Sequence, residues 1–282
     1  MSLIGRIALS SLARPARHAY GTGPSQVADL HVPAGSGPFP VAVLLHGGYW
    51  NTRYGKLIMR PLAGDLVRRG WAAWNVEYRR LGPGSGGGGG WPATFDDVAA
   101  GIDALAGLDD PRLDLSRVTA VGHSAGGQLA LWAAARPDLP AGAPGSGPAV
   151  RLTHVAALTA VASLASAGAM ARNLMGGSPE EVPDRYAQAD PMRRIPLGIP
   201  VLMVHPVDDG VVPVRQSRSY SAAASAQGAD VTLVETATGG HRGPIDPGSQ
   251  AWQLTAGWLR DVAALGPANP DQPRSEAVAP PT

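Results

Sequence analysis

Short apolar runs alternate with helical patterns along most of the chain. The runs have the length and composition of buried or half-buried strands, and they cover residues 25–32, 40–45, 72–78, 117–122, 154–161, 199–205 and 230–235. Apolar residues recur at helical spacing over residues 57–69, 93–107, 126–136, 214–227 and 248–264. This alternation predicts an α/β fold, in which helices cover both faces of a mostly parallel sheet.

Three stretches rich in glycine or proline interrupt the alternation. Residues 81–92 contain five consecutive glycines, and we expect a mobile loop there because glycine leaves the backbone free. Residues 137–150 are expected to form a surface connection, and residues 267–282 a disordered Pro-rich tail. With residues 1–20 as an N-terminal arm, the prediction is a single globular domain over residues 21–266.

The composition narrows the function classes. The 282-residue chain is 44% hydrophobic and 16% charged, with a formal net charge of +1, which is typical of a globular protein. It has no basic block, so we expect no nucleic-acid partner. No stretch reaches the roughly 18 apolar residues that a membrane span requires, and we expect a soluble, cytoplasmic protein. The absence of cysteine excludes disulfides, thiolate zinc sites and a cysteine nucleophile.

The strongest candidate for chemistry is Ser124. It lies in the motif G-H-S-A-G at 122–126, between a predicted strand and a predicted helix. In this context the motif forms a turn so tight that side chains at its first and last positions would collide, which explains the two glycines. The turn holds the hydroxyl at the carboxyl edge of the sheet and at a helix N-terminus. The pattern predicts a nucleophile; the alternative is an ordinary turn with an N-capping serine.

A serine nucleophile needs hydrogen-bond donors for the oxyanion of the tetrahedral intermediate. The turn itself supplies the backbone N–H of Ala125. The segment H-G-G-Y-W at 46–50 follows the strand at 40–45, and its glycines let the backbone approach a substrate. We therefore predict Gly48 and Tyr49 as further donors, and we interpret His46 as a brace of this loop.

Chain order selects the base among seven histidines. When a serine stands on such a turn, the acid follows one of the last strands and the histidine follows the final strand. Only His241, in T-G-G-H-R-G at 238–243, meets this condition. The acid must follow the strand at 199–205, where Asp208 and Asp209 are both available. Physical reasoning alone does not separate these two carboxylates.

Taken together, these motifs resemble the α/β-hydrolase superfamily over residues 21–266, and more narrowly its esterase/lipase and kynurenine formamidase-like branch. The resemblance rests on H-G-G-x-W at 46–50, on G-H-S-A-G-G at 122–127 and on a D-x-x-V-P stretch that ends at Pro213. It implies an α/β-hydrolase fold and, by the last of these patterns, Asp209 as the acid beside Ser124 and His241. Pro206 departs from the branch, where glycine is common.

The resemblance implies hydrolysis of a small-molecule ester or amide without a metal or cofactor. We predict an esterase for small or medium acyl groups, because residues 162–198 are long enough only for a small cap. An arylformamidase is the alternative, ahead of a peptidase, an acyltransferase or a non-catalytic binding protein. Trp50 and Trp91 are candidate walls of the acyl pocket, with Trp91 as a flap carried by the glycine run. No charged residue is evidently placed to select a charged substrate, and the oligomeric state is not indicated.

Overall fold

The structure is a computed structural model that describes residues 15–264. These residues form one sheet with the spatial order β1-β2-β4-β3-β5-β6-β7-β8. The strands span Ala16–Ala19 (β1), Val27–His31 (β2), Phe39–Leu45 (β3), Ala72–Val76 (β4), Leu113–His123 (β5), His154–Leu158 (β6), Val201–Pro206 (β7) and Val231–Thr236 (β8). Strands β3 to β8 run parallel, whereas β1 and β2 are antiparallel to their neighbours. The predicted tail and most of the predicted N-terminal arm lie outside the described residues.

The sheet contains all seven predicted strands and one more, β1. This strand falls inside the segment that we assigned to an N-terminal arm, so the boundary placed after residue 20 lies one strand too late. Strand β1 pairs with β2, from Ala16 opposite Leu30 to Ala19 opposite Val27. Its sequence A-R-H-A lacks apolar alternation because β1 is a short and largely exposed edge strand.

Seven α-helices connect and cover the strands of the described chain. They span Arg60–Arg68 (α1), Ala93–Asp103 (α2), Ala125–Ala134 (α3), Ala169–Met175 (α4), Pro183–Ala189 (α5), Arg215–Ser225 (α6) and Gln250–Ala264 (α7). Five of them match the predicted helical patterns, and the two short helices α4 and α5 occupy the connection between β6 and β7. Within residues 15–264, no helix combines the length and the apolar character that crossing a bilayer requires.

Alternate residues of the central strands pack on opposite faces of the sheet. On β3, Val41, Val43 and Leu45 join one apolar cluster with α2 and α3. Ala42 and Leu44 join a second cluster with α1 and α7. Because both faces are covered, the strand is a continuous apolar run rather than an alternating one. The carboxyl ends of the parallel strands remain as the natural place for a binding site.

Backbone hydrogen bonds join the glycine run at 86–90 to the segment that precedes it. The N–H of Arg80 donates to the carbonyl of Gly86, and the N–H of Gly89 donates to the carbonyl of Arg80, both at 2.9 Å. A Cβ atom at Gly89 would lie 2.5 Å from the carbonyl oxygen of Arg79. Glycine is therefore required at position 89 because two backbone segments touch there; the expectation of a mobile loop stays a prediction.

Candidate active site

Ser124 stands on a strained turn between β5 and α3. Its backbone has φ 58° and ψ −118°, a conformation that costs free energy for any residue with a side chain. A Cβ atom at Gly122 would lie 2.1 Å from the carbonyl oxygen of Gly126, and one at Gly126 would lie 2.0 Å from that of Leu45. The two glycines are thus required by close backbone contacts, as the sequence motif predicts.

The structure brings Ser124, His241 and one of the two candidate acids into a single hydrogen-bonded chain. Nε2 of His241 lies 3.0 Å from Oγ of Ser124, and its Nδ1 lies 2.8 Å from Oδ2 of Asp209. The three side chains follow β5, β7 and β8, whose carboxyl ends meet at one edge of the sheet. This geometry allows the imidazole to accept the hydroxyl proton while the carboxylate stabilises the resulting charge.

The carboxylate of Asp209 is held on both of its oxygens. Its Oδ1 accepts the backbone N–H groups of Val211 at 2.8 Å and Val212 at 3.0 Å, and its side chain has no exposed surface. Burial raises the pKa of this carboxyl, but hydrogen bonds from His205, from His241 and from the Val211 N–H outweigh burial and hold the pKa well below its usual range. The group therefore stays ionised, as the partner of an imidazolium must.

Asp208 does not contact the side chain of His241. It contacts the backbone of the loop at 238–243 that carries His241, here called the base loop. Its carboxylate accepts the N–H of Gly240 at 2.8 Å and that of Gly239 at 3.3 Å. The two neighbouring acids thus have separate contacts, one to the side chain of His241 and one to the backbone that precedes it. This difference supports the choice of Asp209, which the residues alone had left open.

His205 lies beneath the acid and was not singled out from the sequence. It is fully buried at the end of β7, and its Nε2 lies 2.9 Å from the carbonyl oxygen of Val212 and 3.4 Å from Oδ2 of Asp209. Because a carbonyl only accepts, Nε2 carries the proton, and Nδ1 accepts from Oγ of Ser217 at 2.7 Å. In the sequence, the signal for this contact is the position of His205 four residues before Asp209.

The predicted oxyanion loop has an uncommon backbone conformation. Gly48, Tyr49 and Trp50 have φ values of +117°, +58° and +52° in succession, and such values are unfavourable for residues with side chains. The N–H of Asn51 donates to the carbonyl of Gly48 at 2.9 Å, which closes the turn. Strain retained beside a nucleophile is typical of a functional loop.

Behind this loop, His46 has a bracing position. Its ring stacks on that of Tyr78 with centroids 4.3 Å apart, and its Nε2 lies 2.8 Å from Oε1 of Glu77. The hydroxyl of Tyr78 donates to the carbonyl of His46 at 2.6 Å. These contacts agree with the interpretation of His46 as a structural residue.

A family model decides how these motifs are classified. The model named BD-FAE matches residues 28–223, which is most of the chain. The chain belongs to the BD-FAE family. No curated protein matches it.

Solved structures resemble this BD-FAE family member over nearly its whole length. A truncated carbohydrate esterase from gut microbiota has a TM-score of 0.77 at 19% identity and covers 90% of this chain and 98% of its own. Esterase 2 of Thermogutta terrifontis, with butyrate bound, has a TM-score of 0.73 at 21% identity and covers 93% and 98%. An acetyl ester-xyloside bifunctional hydrolase from Caldicellulosiruptor lactoaceticus has a TM-score of 0.71 at 20% identity and covers 89% and 98%. At such identities the likeness is one of fold, and it confirms the α/β-hydrolase fold; the kynurenine formamidase-like branch stays a prediction.

A cavity of about 330 Å³ opens beside the hydroxyl of Ser124 in this BD-FAE family member. Four separate segments of the chain line it, and of the hydrogen-bonded chain only Ser124 and His241 take part: Gly48, Tyr49, Tyr54, Ile58, His123, Ser124, Val211, His241, Arg242 and Ile245. Gly48 and Tyr49 are therefore present where the sequence placed the oxyanion loop. Ala125 begins α3, in the first turn, where its N–H has no intrahelical acceptor. The roles of these three N–H groups stay a prediction.

Trp50 and Trp91 do not line this cavity, contrary to our expectation of an acyl-pocket wall. Trp50 is 2% exposed, and its indole N–H donates to Oε1 of Gln128 at 3.2 Å. Trp91 packs edge-on against Phe95 at 5.1 Å, and its backbone N–H donates to the carbonyl of Leu174 at 2.7 Å. Both indoles belong to the packing behind the site, and no contact of Trp91 supports a flap.

His123, next to the nucleophile, contacts the base loop. Its Nε2 lies 2.8 Å from the carbonyl oxygen of His241 and must donate to it. Burial, followed by the positive charge that His241 can carry, lowers the pKa of His123 to about 3. The ring is therefore neutral, and it links the turn that carries Ser124 to the loop that carries the base. Among residues 15–264, no cluster of three or more His, Asp or Glu side chains is arranged to hold a metal ion.

Proposed function

We propose that this protein is a serine hydrolase that cleaves carboxylic esters of small or medium acyl groups through an acyl-enzyme. The hydrogen-bonded chain from Ser124 through His241 to Asp209, which opens onto a cavity, is the observation that carries the proposal. The nucleophile, the base and the acid are already within hydrogen-bond reach of one another.

In the proposed mechanism His241 takes the proton of Ser124 as Oγ attacks the ester carbonyl. The oxyanion is stabilised by the N–H of Ala125 and by the loop at Gly48 and Tyr49. His241 then gives the proton to the leaving alcohol, and the carbonyl reforms as the acyl-enzyme. Water, deprotonated by the same imidazole, attacks this acyl group, and the acid product leaves as Ser124 recovers its proton.

The shape and lining of the cavity support a substrate of limited size. Its volume of about 330 Å³ lies near the lower end of the about 300–1,000 Å³ found for small-molecule pockets. Ile58, Val211 and Ile245 give it apolar walls. The helical part of the connection between β6 and β7 consists of two α-helices of 7 residues each and one 3-10 helix of 3 residues, too little chain for a large lid.

The names of similar proteins favour esters over the arylformamide alternative. The structures with the same fold are called esterases, and one of them holds butyrate. No observation on the site favours an N-formylated arylamine. The substrate is a small molecule in this proposal, and the cytoplasmic location stays a prediction.

The proposal is tested by comparing p-nitrophenyl acetate, p-nitrophenyl butyrate and p-nitrophenyl decanoate with N-formylkynurenine. We expect the highest kcat/KM on the acetate or butyrate, because the decanoyl chain exceeds the cavity. Turnover of N-formylkynurenine more than tenfold above that of both short esters would favour the arylformamidase instead. The absence of turnover on every ester would contradict the proposal.

His123→Leu is expected to lower kcat about five- to tenfold with little change in KM, because it removes one hydrogen bond that holds the base loop in register with Ser124. His123→Gln should recover part of the loss, since its amide N–H can reach the same carbonyl. Steady-state kinetics on p-nitrophenyl butyrate are compared with thermal unfolding of each variant. A positioning role is rejected if both variants lower the Tm equally and leave kcat unchanged.

A further inference from the structure

Arg242 introduces a permanent positive charge into the active-site cavity. It follows His241 directly, is exposed, and lines the cavity together with Ser124. Apart from His241, the base itself, two other titratable lining groups do not compete with it: burial lowers the pKa of His123 to about 3, so that ring is neutral, and burial raises the pKa of the Tyr49 hydroxyl. Among the lining residues Arg242 is thus the group that an anion would meet.

The guanidinium of Arg242 has no acidic partner within the described part of the chain. None of the ion pairs of residues 15–264 includes it. The two acids of the facing loop are already engaged, Asp208 by the N–H groups of Gly239 and Gly240 and Asp209 by His241. The charge is therefore available to a ligand.

The backbone that carries this charge is fixed on both sides. The carbonyl of Arg242 accepts the N–H of Ile245 at 3.2 Å. The carbonyl of His241, one residue earlier, accepts from His123 at 2.8 Å. These two hydrogen bonds hold the backbone of Arg242 in position relative to His241, whereas its long side chain can change rotamer.

We propose that the site prefers esters whose leaving-group half carries a carboxylate, which Arg242 binds. The proposal rests on the esterase function and names a substrate class for it. Because His241 protonates the leaving oxygen, the leaving group lies beside the imidazole when the ester bond breaks. Arg242 is the next residue along the loop, so its side chain can reach the leaving group. Ile245 and Val211 line the same cavity and offer apolar contact to the part of the leaving group between the ester and the carboxylate. The planar guanidinium of an arginine can also donate two parallel hydrogen bonds to one carboxylate.

The test uses two acetates that differ in charge, 3-acetoxybenzoate and methyl 3-acetoxybenzoate. The ratio of their kcat/KM values is measured for the wild type, Arg242→Gln, Arg242→Lys and Arg151→Gln. Arg151 is exposed and precedes β6 at the opposite edge of the sheet, so its variant removes the same charge far from Ser124. Comparing ratios between variants cancels the different intrinsic reactivities of the two esters.

We expect Arg242→Gln to lower the ratio of the anionic to the neutral ester about three- to fivefold, the effect of one exposed ion pair. Arg242→Lys should keep part of the preference, Arg151→Gln should keep all of it, and added salt should weaken it in the wild type. An unchanged ratio in Arg242→Gln, with turnover that still requires Ser124, would overturn the anionic preference and leave the esterase standing. Equal slowing of both esters would also overturn it, because a merely structural role affects both substrates alike. Turnover that persists in Ser124→Ala would contradict Ser124 as the nucleophile, and the absence of turnover of both esters in the wild type would contradict the esterase function itself.

Discussion

Ser124→Ala is expected to lower kcat/KM for p-nitrophenyl butyrate by about 10⁴-fold or more, because the acyl-enzyme cannot form without the hydroxyl. The same change should abolish covalent labelling by an organophosphonate, measured as the mass of the intact protein. The fold should persist, since the alanine keeps the Cβ atom and, within residues 15–264, Oγ makes a hydrogen bond only to His241.

Ser219→Ala is the matched control for this variant. Ser219 is exposed on α6 and makes no contact with the cavity, so its loss should leave labelling and turnover as they are. Labelling of a different serine in the Ser124→Ala protein would show that the nucleophile has been assigned wrongly. Circular dichroism of both variants separates a chemical loss from a folding loss.

Asp209→Asn should lower kcat about 10³- to 10⁴-fold, and Asp208→Asn less than tenfold. The amide at 209 would turn an N–H toward Nδ1 of His241 and favour the wrong tautomer, so Nε2 could no longer accept the proton of Ser124. At 208, an asparagine oxygen can still accept the N–H of Gly240, which is the shorter of the two bonds of that carboxylate at 2.8 Å. The comparison therefore separates contact with the base from contact with its backbone.

The two isosteric variants serve as controls for each other, and both are measured on p-nitrophenyl butyrate. A lower kcat for Asp208→Asn than for Asp209→Asn would exchange the roles of the two carboxylates. Similar and small losses in both would show that the base needs no orienting acid. The expected difference is large because Asp209 is ionised and buried, with a pKa held well below its usual range by its hydrogen bonds.

The fold could be predicted from the sequence wherever burial controls the pattern. Strands β3 to β7 are apolar runs because helices cover both faces of the sheet, and their order along the chain follows from the alternation with helices. Strand β1 could not be predicted in this way, because an exposed edge strand needs only backbone partners. The need for glycine at position 89 could not be predicted for a related reason, because it arises from backbone contact with Arg79 in the folded chain.

The meeting of Ser124, His241 and Asp209 could be predicted because each stands in a short motif at the end of a strand. The choice of Asp209 depended on family resemblance, and the structure supplies a physical reason in the N–H groups of Val211 and Val212. The walls of the cavity could not be predicted, since Ile58, Val211 and Ile245 come from separate loops and carry no local signal. The indoles of Trp50 and Trp91 had a suggestive position in the sequence, but aromatic side chains of this size more often fill the core.

Strand β8 is the outer strand of the sheet, and most of its residues are half-buried or exposed. The loop that carries His241 follows this strand, whereas Ser124 follows the central strand β5. Edge segments open at a lower free energy than the core. A local opening at β8 therefore removes the base while the nucleophile and the central layers remain folded. Under mild denaturant we therefore expect turnover to fall before secondary structure is lost, so that activity reports local opening at this edge of the sheet.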